Sequence, residues 1–149
     1  MKRFLITLIL MLVMLPTVWA QEELAIGAFF DKKYTRRTGA KEVMVKNHKV
    51  GERKMTLFRS LNVPLTDEES RLAEQLVQQD GEQALDRELA TKGGRTCYAF
   101  FRLPDAKNGI HRYIFYRNQA LFAGKKPITN IIYIEGTVTM ADLRRRFGK

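Results

Sequence analysis

The sequence has one cysteine, two histidines and two serines among its 149 residues. Because Cys97 stands alone, no disulfide can form within the chain, and stability has to come from packing and from paired polar groups. The two serines, Ser60 and Ser70, lie outside any Gly-x-Ser-x-Gly turn, so the nucleophile motif of many hydrolases is absent. There is also no phosphate-binding loop, no paired-cysteine spacing and no His-x-x-x-His spacing. The sequence therefore predicts no resident metal or cofactor.

Three residues remain as candidates for chemistry, and each has a simpler structural explanation. Cys97 is a candidate nucleophile, with His111 on the next predicted strand as its base. A simpler interpretation is that Cys97 is a small buried apolar residue. His111 is also a candidate metal ligand, or a partly exposed strand residue. Glu135 is the one acidic residue inside an apolar strand, which makes it a candidate functional residue. The simpler interpretation is that it lies at the end of the strand and faces water. We predict no catalytic, cofactor-binding or metal-ligating residue.

The most hydrophobic segment of the chain stands at its start. Lys2 and Arg3 precede an apolar run from Phe4 to Leu15, which is shorter than the ~20 residues that a membrane-spanning helix needs. Pro16 follows, and Val18-Trp19-Ala20 has small residues three and one before a cut. The pattern predicts a signal peptide, residues 1–20, although a short anchor or a buried first helix is the alternative. We expect export to the periplasm and a mature domain, residues 21–149, with no transmembrane segment.

The formal net charge of +10 is distributed unevenly along the chain. Basic residues dominate segments 31–59 and 92–149, whereas acidic residues dominate segment 67–88. One interpretation is internal complementarity, in which an acidic helix lies near basic strands. The other is an anionic partner such as a nucleic acid, a polyanionic glycan or lipid headgroups. We favour the first, because charge alone governs solubility and steering more than function.

The first half of the mature chain alternates helix and strand patterns. Apolar residues at helical spacing predict a helix over residues 22–37, with Ile26 and Phe29 on its buried face. Residues 42–46 and 54–63 read as two strands. Thr66, with Glu69 three residues later, has the capping-box spacing of a helix start. The helix then has an apolar stripe of Leu72, Ala73, Leu76 and Val77. A second apolar stripe over residues 84–89 predicts that helical structure continues, after a bend at Asp80-Gly81, to Gly93-Gly94.

The last third reads as sheet. Residues 95–103, 110–117 and 128–136 are predicted strands, and Asn108-Gly109 is a turn signal between the first two. Thr139 and Asp142 predict the cap of a short final helix that runs through Phe147. Helices and strands do not alternate strictly. We therefore expect a single α+β domain with a mostly antiparallel sheet of about five strands and helices packed on it.

Aromatic and basic residues share one side of the two predicted strands that the Asn-Gly turn joins. Aromatics beside arginines on a sheet can stack bases, as RNA-binding sheets do, but core packing with arginines at the strand ends explains them equally well. These residues are Tyr98, Phe100, Arg102, His111, Tyr113, Phe115 and Arg117.

The ending from Ile134 to Leu143 has the form apolar-x-Gly-x-apolar followed by Asp-Leu. Together with the hydrophobic start, the aromatic helix and the strand after Gly39, it resembles a domain-of-unknown-function family of small exported bacterial proteins. The resemblance implies the same order of elements over most of the mature chain. It implies no activity, partner or site residue.

These observations favour an exported protein that acts as a non-enzymatic binding or interaction domain of the cell envelope. The sequence does not identify its partner, and another envelope protein is one candidate. The first alternative is a binder of anionic polymers or membrane surfaces through the basic segments. The second is an enzyme whose site is assembled from residues far apart in the sequence. A deep pocket lined by Glu135, His111 or Cys97 would favour the enzyme, and a continuous basic face would favour the polymer binder.

Overall fold

The computed structural model describes residues 24–147, and the predicted signal peptide lies outside that range. Its main element is a six-stranded sheet in which all neighbouring strands are antiparallel, in the order β1-β2-β6-β5-β4-β3. The strands are β1 (Lys41–Val50), β2 (Arg53–Pro64), β3 (Asp86–Lys92), β4 (Arg95–Ala106), β5 (Ile110–Asn118) and β6 (Ile128–Gly136). The prediction of an α+β fold with an antiparallel sheet is confirmed, with one more strand than expected.

The extra strand is β3, which the sequence pattern predicts as helix. The prediction is wrong because the two leucines of that pattern do not enter the core: Leu85 and Leu89 are 62% and 52% exposed. Main-chain pairing with β4, which sets Leu89 opposite Ala99, decides the conformation instead. Glu82 follows the preceding helix, and Asp86 and Glu88 belong to this edge strand.

The predicted N-terminal helix is also wrong as one continuous element. The structure has a 3-10 helix, Ala25–Phe30, and a single α-helical turn, α1 (Lys32–Thr35). Asp31 between them is extended, and its side chain caps α1 by accepting a hydrogen bond from the Lys33 N–H at 3.2 Å. The predicted apolar face is nevertheless correct, since Ile26, Phe29 and Tyr34 are buried.

Helix α2 (Asp67–Gly81) begins where the capping box predicts. The Glu69 N–H donates to Thr66 Oγ1, and the Glu69 carboxylate accepts the Thr66 N–H. Ala73 and Val77 of the predicted stripe face the sheet, whereas Leu72, which the same pattern predicts to be buried, is 42% exposed. Gly81 ends the helix against the ring of Phe101, where a Cβ atom would come within 2.6 Å of the ring.

Each face of the sheet carries its own core. The first lies under α2 and the N-terminal segment, and includes Leu61, Phe101, Ile114 and Tyr116. The second lies under the last helix, α3 (Met140–Phe147). Its predicted cap is confirmed by reciprocal hydrogen bonds between Thr139 and Asp142.

A bulge in β2 moves one predicted core residue to the other face. The register of β2 against β6 shifts between Met55 and Leu57. As a result Met55 joins the core under α3, whereas Leu61 joins the core under α2. A strict alternation from Met55 to Val63, which the sequence suggests, therefore holds only after the bulge.

No helix between Leu24 and Phe147 has the length and apolar character needed to span a membrane.

Candidate functional site

A cleft of about 1320 Å³ opens on the face of the sheet that carries α2. We call it the central cleft. One wall is the N-terminal segment, residues 24–30, and the other is the turn between β4 and β5. Strands β2, β5 and β6 form the floor. Its polar lining consists of Thr56, Arg59, Gln79, Asp80, Asp105, Lys107, Arg112, Tyr133 and Glu135.

The floor holds a chain of three hydrogen-bonded side chains. Arg112 Nε donates to the Tyr133 hydroxyl at 3.0 Å, and that hydroxyl donates to Glu135 Oε1 at 2.5 Å. The register brings them together, because Arg112 on β5 is opposite Glu135 on β6. Burial, and then the bond to Glu135, raise the pKa of Tyr133 to about 12. The hydroxyl therefore keeps its proton at neutral pH and acts as a donor.

Arg59 joins the floor to the N-terminal wall. Its guanidinium lies 4.4 Å from the centre of the Phe30 ring, and Nη2 donates to the Phe30 carbonyl at 3.3 Å. Glu42 on β1 lies 3.6 Å away. Arg59 Nε is buried and has no hydrogen-bond partner within residues 24–147. Stacking on Phe30, one carbonyl contact and the ion pair with Glu42 hold this arginine, and its Nε donor is not used by the described residues.

Asp80 at the end of α2 fixes the same wall. Its two carboxylate oxygens accept the backbone N–H groups of Ala25 at 2.7 Å and Ile26 at 2.8 Å. Burial raises the pKa of Asp80, although these two bonds and the charge of Arg112 act in the opposite direction. The carboxylate is therefore a structural acceptor for the start of the 3-10 helix, a region that would otherwise leave N–H groups unpaired.

The cleft offers unused donors and acceptors in one place. The terminal amino groups of Arg112 and the second carboxylate oxygen of Glu135 make no hydrogen bond to another described residue. The partly exposed side chains of Leu24, Leu57 and Ile110 supply apolar surface around them. Such an arrangement can bind a ligand that has both an apolar part and a polar group.

The structure does not bring Cys97 and His111 together. Cys97 lies near the start of β4, where the neighbouring residue Tyr98 pairs with Arg117 near the end of β5. His111 lies at the start of β5, which is the opposite end of that strand. The thiol is 5% exposed and contacts the Ala90 carbonyl at 3.4 Å. The buried interpretation of Cys97 agrees with this placement.

His111 lies outside the residues that line the central cleft. Its Nδ1 is 3.0 Å from Asp105 Oδ1, and this contact holds the pKa of Asp105 below its usual range. No group of three or more His, Cys, Asp or Glu residues between Leu24 and Phe147 is placed to hold a metal ion.

Glu135 is half-buried and points into the central cleft, which a strand-end residue facing open water would not do. Sequence reasoning missed the residues around it: Arg59, Arg112, Tyr133 and Asp80. One feature of the sequence indicated this site: Arg59 interrupts the apolar residues that occupy alternate positions of β2. A charged residue in such a row indicates a polar neighbour on the same face.

The predicted aromatic and basic row does share one face of the sheet. Tyr98 is opposite Arg117, and Phe100 is opposite Phe115. Phe100 and Tyr113 are only 3% and 2% exposed in the core under α3, so core packing explains most of the row.

The acidic segment 67–88 is joined to basic residues from other parts of the chain. Arg37 pairs with Glu69 at 2.7 Å, Arg95 pairs with Glu74 at 2.7 Å, and Arg144 contacts Glu88. Every basic residue in such a pair within residues 24–147 is an arginine or His111. Internal complementarity therefore accounts for part of the basic charge, and the lysines remain outside these pairs.

Basic residues of the β1–β2 hairpin and of α3 form a group that we call the basic end, and three of its arginines are in ion pairs with acidic residues of the chain. Arg53 reaches Asp142 at 2.8 Å and so joins the β1–β2 hairpin to α3. The residues of this group are Lys49, Arg53, Lys54, Arg144, Arg145 and Arg146.

Comparison with known proteins adds a family but no activity. Neither a curated protein nor a solved structure matches the chain. A family of unknown function, DUF6108, matches residues 13–147, which include every strand and helix described above. The chain belongs to this family of unknown function.

Proposed function

We propose that this protein is an exported, non-enzymatic binding domain of the bacterial cell envelope, and that its ligand occupies the central cleft. Export rests on the pattern of residues 1–20. The observation that carries the binding role is the cleft itself, where unused polar groups of Arg112 and Glu135 lie among apolar side chains.

The dimensions and chemistry of the cleft favour an extended ligand. Its volume of about 1320 Å³ exceeds the ~300–1,000 Å³ typical of small-molecule pockets. Arg112 presents terminal donors that suit a carboxylate, and Glu135 presents an acceptor for an N–H group. A short peptide with a free carboxylate combines these features with apolar side chains.

The alternative of an enzyme is favoured by one observation, the position of Glu135 in the cleft. The neighbouring groups argue against it. A general acid or base works best with a pKa near the operating pH, whereas the pKa of Tyr133 is raised to about 12. Asp80 has both oxygens bonded to backbone N–H groups. Binding therefore accounts better for the arrangement than catalysis does.

The test of the binding site is a titration of the isotope-labelled protein with short peptides, each in a carboxylate and an amide form, followed by NMR. We expect the carboxylate forms to shift resonances of cleft residues, and Arg112→Gln to weaken binding about tenfold or more, as loss of a charge-assisted hydrogen bond does. Arg117→Gln is the matched control, because Arg117 is exposed near the other end of β5. Equal losses in both variants, or shifts confined to the opposite face of the sheet, contradict the proposal.

Export is tested separately from binding. Protein recovered from the periplasm is expected to begin at Gln21 by N-terminal sequencing. A periplasmic protein that retains Met1 contradicts cleavage, and a protein found only in the cytoplasm contradicts export.

A second candidate function, binding of an anionic polymer, is favoured by the basic end. If the protein binds anionic polymers, a heparin column retains it above physiological salt. Retention then falls as salt rises, because binding releases the counterions condensed on the polymer. The variant Lys49→Gln/Lys54→Gln then elutes earlier, whereas Lys32→Gln/Lys125→Gln, with the same change in net charge elsewhere, elutes nearly unchanged. We expect elution below physiological salt, with equal shifts in both variants.

A further inference from the structure

The strand β1 is an open edge of the sheet. It pairs with β2 on one side and with no other strand of the described chain on its other side. All residues from 41 to 49 are exposed. Three consecutive apolar side chains stand among them: Val43, Met44 and Val45 are 49%, 48% and 36% exposed. A long, exposed edge with apolar residues is a template for pairing with another strand.

The pairing edge has a defined length. Asn47 has a positive φ of 57°, which breaks the extended conformation of β1. The regular part of the edge is therefore residues 41–46. Proline, a common guard of edge strands, is absent from β1. Lysines are present at both ends of the regular part, Lys41 and Lys46, and Glu42 lies between them.

We propose that β1 pairs with β1 of a second copy of this chain, antiparallel and around a two-fold axis at Met44. Such an axis is perpendicular to the sheet, so the same face of both copies lies on the same side of the joined sheet. Each even-numbered residue therefore lies opposite an even-numbered residue, and each odd-numbered residue opposite an odd-numbered one. Met44 then faces Met44, and Val43 faces Val45. Glu42 faces Lys46, and this pair occurs twice. The segment is self-complementary in both charge and apolar character.

Neighbouring registers lose this complementarity. An axis at Val45 sets Met44 opposite Lys46 and leaves Glu42 without a partner in the regular part of the edge, so the charge pairs are lost. An axis at Val43 sets Glu42 opposite Met44 and leaves Lys46 without an acidic partner. Glu42 already lies 3.6 Å from Arg59 of its own chain, so the favoured register places one carboxylate between two cations.

The other edge of the sheet is a natural comparison. Strand β3 has a register irregularity between Ala90 and Thr91, and Arg144 contacts Glu88 on it. Within β3 only Leu89 is a large exposed apolar residue. A bulge and a bound side chain are devices that protect an edge, so β1 is the better pairing surface.

Cross-linking tests the register. In a Cys97→Ala background, Met44→Cys places two thiols directly opposite each other across the axis, and mild oxidation or a short bis-maleimide should join two chains. Leu89→Cys is the matched control for the opposite edge. Efficient linking through position 44 and not through position 89 supports the proposal. Linking through position 89 alone, or equal weak linking through both, overturns it.

Charge reversal tests the chemistry of the same pairing. Sedimentation velocity over a range of concentrations should show a weak dimer of the native chain, since one pair of strands buries little surface. Glu42→Lys or Lys46→Glu alone should raise the dimer dissociation constant about tenfold, because two cross-strand pairs become repulsive. The double variant Glu42→Lys/Lys46→Glu restores the pairs and the dimer. A monomer at all concentrations, or a double variant no better than either single one, refutes the proposal, and circular dichroism confirms that each variant is folded.

Discussion

The ion pair between Arg37 and Glu69 gives a stability prediction with a defined pH dependence. Both guanidinium amino groups donate to the carboxylate at 2.7 Å, and the Glu69 side chain is 18% exposed. The bonds from Arg37, and then the bond from the Thr66 N–H, lower the pKa of Glu69 from 4.5 to about 2. At about 1.4 kcal/mol per pKa unit, the ionised carboxylate stabilises the fold by about 3 kcal/mol at neutral pH.

The sign of the effect follows from the direction of the shift. Because the pKa is lower in the folded state, the stabilisation is complete above pH 4.5 and is lost as the pH falls towards 2. Glu69→Gln keeps an acceptor for the Thr66 N–H and removes the charge that Arg37 binds. We expect a loss of about 2 kcal/mol in the free energy of unfolding at pH 7, and about 0.5 kcal/mol or less at pH 2.

Urea denaturation at pH 7, 4.5, 3.5 and 2 measures this difference for the native chain and the variant. Glu68→Gln is the control, since Glu68 is an exposed neighbour in the same first turn of α2. It should cost less than about 0.5 kcal/mol at every pH. A loss for Glu69→Gln that stays constant from pH 7 to pH 2, or that matches the control, refutes the assignment.

Two further predictions concern buried positions, and the same denaturation curves measure both. Gly136→Ala should cost about 3 kcal/mol or more, because an added Cβ would lie 2.2 Å from the backbone oxygen of Lys54, whereas Gly27→Ala, in open space, should cost less than about 1 kcal/mol. Cys97→Ser should cost about 1–3 kcal/mol, because it places a hydroxyl at a buried position. Rapid labelling of the native thiol would contradict the burial of Cys97, and near-native stability of Gly136→Ala would contradict the close approach of β6 to β2.

The features that local chemistry determines were predictable from the sequence. Two helix starts, at Thr66 and Thr139, depend on residues three positions apart, and both form as their spacing indicates. Gly136 belongs to the ending on which the family resemblance rests, and the close approach of the Lys54 backbone explains why a glycine is needed there.

The features that depend on distant contacts were not predictable. Residues 84–89 have a helical apolar spacing, and the pairing of β3 with β4 overrides that preference. The central cleft combines the wall near Ala25 with Asp80, which is 55 residues away, and with Tyr133 on the last strand. No local sequence pattern predicts such an assembly, so only Glu135 and the charged interruption at Arg59 indicated a polar site on this face.

The position of β6 has a consequence for how the chain acquires its fold. The last strand in the sequence lies between β2 and β5, so the N-terminal hairpin and the β3–β4–β5 meander have no strand pairing with each other. Each can form early as a local unit, but neither can join the other until Ile128–Gly136 is present. A chain stopped before Ile128 would expose the pairing edges of β2 and β5 at once, both rich in apolar side chains. The sheet is therefore completed last at its centre, and an incomplete or stalled chain is the species most prone to aggregate.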